Sequence, residues 1–356
     1  MNRQLLNALD CLLPIINRMF VSGLAVGVLG NAGFFRGGQL VALPKIQGLP
    51  APHPFAISAD GRTVIGQFAP GNPFVWKGRS IVQFKPFKDV FAHFVQGVSA
   101  DGSTIVGKAN AGFIWKLGKS KSLPNKGTFC VGVSGDGRVV VGQEEWQEPL
   151  GSEGSVTNQK LKARGLRRGF IWRGDSIEVV PEFAPLCISL DGKVIAGVHT
   201  EGEKTSAYVR SGKQITALPV PLETSDSVVY AINRDGARKV GCVTLESGST
   251  QGILWKGSDK FVLLQNRGAS FAVAKTVTPD GLWIGGFAGD DAVIWESDGK
   301  VRSVASMLQS AKVATAGWKF ESVNGITRVG NKLSFVGWGH RNGKEAGYFA
   351  TVDLVR

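Results

Sequence analysis

The chain has 356 residues, with 41 Lys and Arg against 28 Asp and Glu, a formal net charge of +13, 43% hydrophobic and 19% charged residues. That balance excludes a disordered chain, which cannot bury enough apolar surface, and a coiled coil, which needs far more charge. The length would suit two or three ordinary domains, but repeat folds escape that estimate because each repeat needs only its neighbours.

The positive balance favours anionic partners such as nucleic acid, lipid headgroups or acidic polysaccharide. It equally describes a soluble protein with an alkaline isoelectric point, since only one loop carries a dense run of basic residues. Cys11, Cys130, Cys187 and Cys242 form no CxxC pair and no Cys/His cluster with metal-ligand spacing. The last three fall in predicted strands and read as buried free thiols.

In chain order, residues 1–36 come first and read as a leader. Residues 19–35 are an uncharged apolar run between Arg18 and Arg36, with Gly30-Asn31-Ala32 offering the small residues that a signal peptidase reads. The run is short for a membrane span, which needs about 20 residues. The stretch ahead of it is itself apolar and contains Asp10; it reads as an amphipathic helix or an upstream extension. Export, to the periplasm or beyond the cell, is the expectation.

Residues 37–356 read as one β-propeller. The segment GQLVALPKI at 38–46 looks like a strand without a hairpin partner. A pattern then recurs: a small residue, an aliphatic, a hydroxyl or amide residue, any residue, Asp-Gly, and, after four intervening residues, another Gly. It starts at Ala56, Gly97, Gly132, Cys187, Ala231 and Thr276, and a seventh copy at Gly325 lacks the Asp and has a turn two residues longer. Each copy continues into an aromatic strand (PFVWKG, GFIWKL, GFIWRG) and a short aliphatic one, such as SIVQFKPF, KQITALP or KVRSVASML. Alternating apolar positions over four to seven residues mark each as a strand.

Asp-Gly between alternating strands predicts a two-residue hairpin turn with positive φ at both central positions. The small residue is expected to open the first strand, nearest the axis. The recurring Gly of the second strand (Gly66, Gly107, Gly142, Gly197, Gly241, Gly286, Gly337) leaves room that the aromatic third strand is expected to fill. The seventh unit ends after its third strand, at GYFATVDLVR. The fold expected is therefore all-β: a seven-bladed β-propeller of four-stranded antiparallel blades, the ring closed by the N-terminal strand completing the last blade. Closure also removes exposed sheet edges.

The repeated Asp residues (Asp60, Asp101, Asp136, Asp191, Asp235, Asp280) read as turn residues rather than a metal or acid ring. The repeated Trp residues (Trp76, Trp115, Trp172, Trp255, Trp295) read as core between blades rather than a sugar-stacking series. Trp146 and Trp338 fall in or beside connections between second and third strands and are candidates for exposed contacts. One long insertion, residues 143–169, lies in blade three. Its basic half, Lys160, Lys162, Arg164, Arg167 and Arg168, is a candidate anionic-ligand surface; the alternative is a self-neutralising surface loop with Glu144, Glu145, Glu148 and Glu153. His53 and His93 precede the first strands of adjacent blades and are candidates to converge near the channel entrance. No metal or cofactor is expected: there is no acidic cluster beside the His pair, no GxSxG elbow, no HExxH and no P-loop.

The unit resembles the extracellular HAF-type repeat family of bacteria, whose consensus joins V-S-x-D-G-x-x-I-V-G to a later A-F-x-W. The match covers residues 38–356, with the second half kept at Phe74–Trp76, Phe113–Trp115 and Phe170–Trp172 and looser at Leu254–Trp255 and Ile294–Trp295. The resemblance implies an exported, propeller-like protein of poorly defined role. Regular repeats, varied loops and missing catalytic motifs together read as a monomeric, non-catalytic binding scaffold. Its expected partner is an acidic polysaccharide, a lipid headgroup or an envelope protein; nucleic acid is not expected. The alternative is a glycan-active hydrolase or lyase with its site at the mouth of the channel, since propellers host both.

Overall fold

The computed structural model describes residues 35–355, apart from 70, 79, 88–92, 125–126, 147–165, 182 and 202–203; the side chains of 145, 146, 166 and 167 also lie outside it. The described residues form seven four-stranded antiparallel sheets. Six are built from consecutive strands. The seventh orders Phe35–Ala42, Lys344–Leu354, Lys332–Arg341 and Trp318–Val329, so the N-terminal strand closes the ring. That strand begins two residues earlier than the expected domain boundary: Phe35 pairs with Leu354 and is buried against Trp283. Phe35 and Arg36 therefore belong to the propeller, and the rest of the expected leader lies outside the described residues.

First strands of neighbouring blades contact one another all the way round, which places them at the axis. We call lower the face carrying the first-to-second turns and third-to-fourth hairpins, and upper the opposite face.

The Asp-Gly turns differ from the expected two-residue form. In blade two, Val98 pairs with Ile105, and Ser99 N–H donates to Thr104 O at 2.9 Å, leaving four residues in the loop. Only the Gly has positive φ, 71° at Gly102. The Asp contributes hydrogen bonding instead of left-handed backbone. Ser99 Oγ donates to Asp101 Oδ1 (2.7 Å) and accepts from Thr104 N–H (2.9 Å), while Ser103 N–H donates to the same Oδ1 (2.9 Å). The hydroxyl residue and the Asp are thus one device, repeated at Ser134 with Asp136 and Ser189 with Asp191. Such a carboxylate accepts several donors, and at Asp101 they pull the pKa down to about 2.

These turns form a belt. Backbone bonds run from Asp60 to Ala100, Ala100 to Gly135, Gly135 to Leu190, Asp191 to Arg234 and Arg234 to Pro279, linking blades one to six. Blade seven, lacking the Asp-Gly turn, joins by side chains. Thr327 Oγ1 donates to Ala59 O (2.7 Å) and Arg328 Nη1 to Asp280 Oδ2 (3.1 Å).

Every first strand carries a β-bulge immediately before its small residue, as at Pro54/Ala56, Val95/Gly97 and Val323/Gly325. The small residue thus sits after the bulge rather than opening the strand, and it touches its counterpart next door: a Cβ on Gly97 would lie 3.3 Å from Gly132 Cα. The recurring second-strand Gly does admit the third-strand ring. A Cβ on Gly66 would come within 2.7 Å of Phe74 Cζ, and one on Gly337 within 2.6 Å of Tyr348 Oη; each would also strike a first-strand carbonyl. Trp76, Trp172, Trp255 and Trp295 are buried, as expected of core between blades, while Trp115 is half-buried.

Blade six departs from its reading as a nine-residue aliphatic strand. Only Val301–Ser303 pairs; Ser303 then caps a helix, Val304–Ser310, its Oγ accepting from Ser306 N–H at 3.2 Å. Val304, Met307 and Leu308 bury against the blade-seven core. Among the described residues no helix is long and apolar enough to cross a membrane. Cys130, Cys187 and Cys242 are free thiols, and burial pushes Cys187 up to about 12 and Cys242 up to about 11.

Candidate functional site

Blade seven has the longest strands, of 12, 10 and 11 residues. Its second and third strands are joined at the upper face by Asn342-Gly343, both at positive φ (52° and 73°), a tight hairpin that keeps the register intact up to Arg341 opposite Lys344. Strand alternation puts Trp338 and His340 on the same side. Their cross-strand partners are Gly347 and Glu345.

His53, the first residue of blade one, packs against this edge. Its ring centroid lies 5.5 Å from that of Trp338, and its Nε2 lies 3.7 Å from Glu345 Oε2. The His340 ring also neighbours Trp338, with centroids 6.5 Å apart; its Nδ1 donates to Glu321 Oε1 at 2.9 Å, and Lys319 Nζ approaches the same oxygen at 3.3 Å. Glu321 is aimed there by a second bulge, between Phe320 and Ser322, that most first strands lack. The result is a half-exposed indole between two imidazoles, each beside a carboxylate, at the seam where the ring closes. Desolvation holds the His53 pKa below its usual value, with the Glu345 charge partly opposing it, so the imidazole is neutral near pH 7.

Of the residues singled out in the sequence, His53 and Trp338 are thus brought together. His93 is not with them. It is 2% exposed and stacks on Phe87 (centroids 6.3 Å apart, planes at 9°), and its carbonyl accepts from Gln67 Nε2. The expected convergence of His53 and His93 therefore gives way to a pairing of His53 with blade seven. Trp146 ends the second strand of blade three, paired in register with Leu166; Arg167 lies opposite Glu145 and Arg168 opposite Glu144. Lys160, Lys162 and Arg164 lie outside the described residues. Glu321, Glu345, His340 and Lys319 are the members that sequence reasoning missed. The available signal was the Trp338-x-His340 alternation on unusually long strands.

The first-strand bulge of blade six carries Lys275, whose ammonium is desolvated with its pKa pushed down to about 8. Among the described residues no group of three His, Cys, Asp or Glu side chains is placed to hold a metal ion.

No protein-family model matches the sequence, and no curated protein matches it. Solved structures do resemble it. An oligogalacturonate lyase from Vibrio parahaemolyticus matches 89% of this chain and 96% of its own, with TM-score 0.55 and 12% identity. A hydrazine synthase from Kuenenia stuttgartiensis matches 82% of this chain and 96% of its own, with TM-score 0.50 and 12% identity. At that identity the likeness shows the propeller fold alone.

Proposed function

We propose that the chain is an exported, non-catalytic binding scaffold whose upper rim takes an anionic glycan of the cell envelope. The observation that carries this reading is the half-exposed Trp338 indole between His53 and His340. An indole face is a stacking surface for a sugar ring, and the Lys319 ammonium supplies a positive charge for a carboxylate. Export rests on the apolar leader at residues 19–35 and on the HAF-type resemblance. With oligogalacturonate as the probe, isothermal titration should register binding that Trp338→Ala weakens at least about tenfold. Equal binding by wild type and a folded Trp338→Ala variant rejects this site.

A second reading, a glycan lyase, is favoured by one feature, the fixing of His340 by Glu321. Elimination from a uronic acid needs a base to remove the proton α to the carboxyl, a cation for the charge that develops, and loss of the neighbouring sugar oxygen to leave a carbon–carbon double bond. His340 would serve as the base and Lys319 as the cation. The unsaturated product absorbs in the ultraviolet. Turnover by wild type that falls about 100-fold or more in His340→Ala supports this reading; no product from wild type rejects it.

A further inference from the structure

The basic excess of the chain shows its clearest pattern on the lower face. Lys77, Lys116, Arg173 and Lys256 end the aromatic strands of four blades, Lys119 and Lys260 begin fourth strands, and Lys213 directly precedes one. Arg173 is paired with Glu178. Among the described residues Lys116 and Lys119 have no ion-pair partner, and they flank one unusual tip. In blade two the third-to-fourth hairpin turns through Leu117-Gly118, with φ of 49° and 85°. The corresponding turns of blades one, three and four begin with Gly78, Gly174 and Gly212 at φ 59–63°. Among the described residues of these turns, Leu117 alone is a bulky side chain in the left-handed region, where an L-residue is disfavoured.

Leu117 is 76% exposed, so the strain is not repaid by burial. The tip contacts its neighbours through backbone and side chain: Leu117 N–H donates to Ser103 O at 3.4 Å, and Lys121 pairs with Asp175 at 2.7 Å and lies over the Trp172 ring. Leu282 and Val329, also exposed, project from lower turns of blades six and seven. On the upper face the most exposed leucine, Leu222 at 93%, sits between Pro221 and Glu223 with no lysine beside it.

An exposed leucine between two lysines that lack an ion-pair partner among the described residues has the chemistry of a shallow bilayer contact. The side chain enters the headgroup region while the ammonium groups meet lipid phosphates. A soluble polyanion would use the lysines but would gain little from Leu117. We propose that the lower face docks on an anionic lipid bilayer, with Leu117 inserted and Lys116 and Lys119 on the headgroups. This is a different surface from the glycan rim, and it stands whether or not that rim binds sugar.

The test is co-sedimentation of the full chain with vesicles of phosphatidylglycerol mixed with phosphatidylcholine, against phosphatidylcholine alone. Wild type should bind the anionic vesicles preferentially and less at high salt. Lys116→Gln and Lys119→Gln should each weaken binding about fivefold. Leu117→Gly and Leu117→Ser should each weaken it about tenfold with an unreduced melting temperature. All variants share residues 1–34, so differences among them report the tip. Unchanged vesicle binding by the folded Leu117 variants overturns the proposal. So does lysine-dependent binding of soluble polygalacturonate with no sedimentation on vesicles, which would make the surface a soluble-polyanion site.

Discussion

Arg328 of blade seven donates to Asp280 of blade six at 3.1 Å, and this one side-chain bond stands where other blades use backbone. The seventh unit has lost its own Asp-Gly turn, so it reaches the neighbour's. Arg328→Met should lower stability by about 1 kcal/mol, less in high salt, because the pair is partly exposed. Thr327→Val, at the other joint, strips the Ala59 carbonyl of a buried donor and should lower it by about 1–2 kcal/mol. Denaturant midpoints for both single variants and the double variant will show whether the two joints act independently.

The second-strand Gly carries a sharper expectation. A Cβ at Gly337 would strike the Ser322 carbonyl and lie 2.6 Å from Tyr348 Oη, while Tyr348 is fully buried and donates to that same carbonyl at 2.9 Å. Neither backbone nor ring can withdraw without breaking the blade. Gly337→Ala should therefore destabilise by about 3 kcal/mol or more. Gly132→Ala, whose Cβ would meet its nearest atoms at 3.3–3.5 Å, should lose about 1 kcal/mol. Equal losses at the two positions would contradict the packing described.

Both of those features were legible as pattern before they were legible as mechanism. The spacing of Gly66, Gly107 and Gly142 relative to the Asp-Gly turns defines the blades because it is a local rule that recurs in six units, and the strand at 38–46, left without a hairpin partner, defines the closure. The turn geometry was not legible, because Asp-Gly suits a two-residue turn equally well and only the Ser99 side chain, bonded five residues on to Thr104, selects the longer loop. Blade six misled for a similar reason: Ser303 reads as a strand residue until its side chain is seen to cap Ser306. Of the rim, Trp338 and His53 stood out, but their pairing joins opposite ends of the chain. Glu321 reaches His340 through a bulge that alternation alone does not announce.

Leu117 offers a stability test separate from any ligand. Replacing it with Gly relieves a left-handed backbone and removes an exposed apolar side chain, while freeing the unfolded chain slightly. The net expectation is a gain of about 0.5–1 kcal/mol. Gly78→Ala, in the equivalent turn of blade one, should lose about as much, since it places a Cβ at φ 63°. Thermal melts of the two variants should move in opposite directions.

Acid should destabilise the protein in two steps. His93 is buried, and desolvation together with the nearby Lys85 charge keeps its pKa below 6.5. The unfolded chain then binds the proton more readily than the folded one. Stability is therefore present above about pH 6.5 and declines as pH falls below it. Asp101 acts in the same sense lower down. Its folded pKa is about 2 against 3.8 for an ordinary carboxyl, so its contribution is complete above about pH 4 and disappears towards pH 2. That carboxyl is solvent-facing, which limits its share to under about 1 kcal/mol. His93→Leu should reduce the first step, which His53 shares because burial lowers its pKa too, and leave the second; Asp101→Asn should reduce the second, which Asp136 and Asp235 share, and leave the first. Denaturant melts followed from pH 8 to pH 2 separate the two, and a profile for His93→Leu that still falls between pH 6.5 and pH 5 as in wild type would assign the first step to another group.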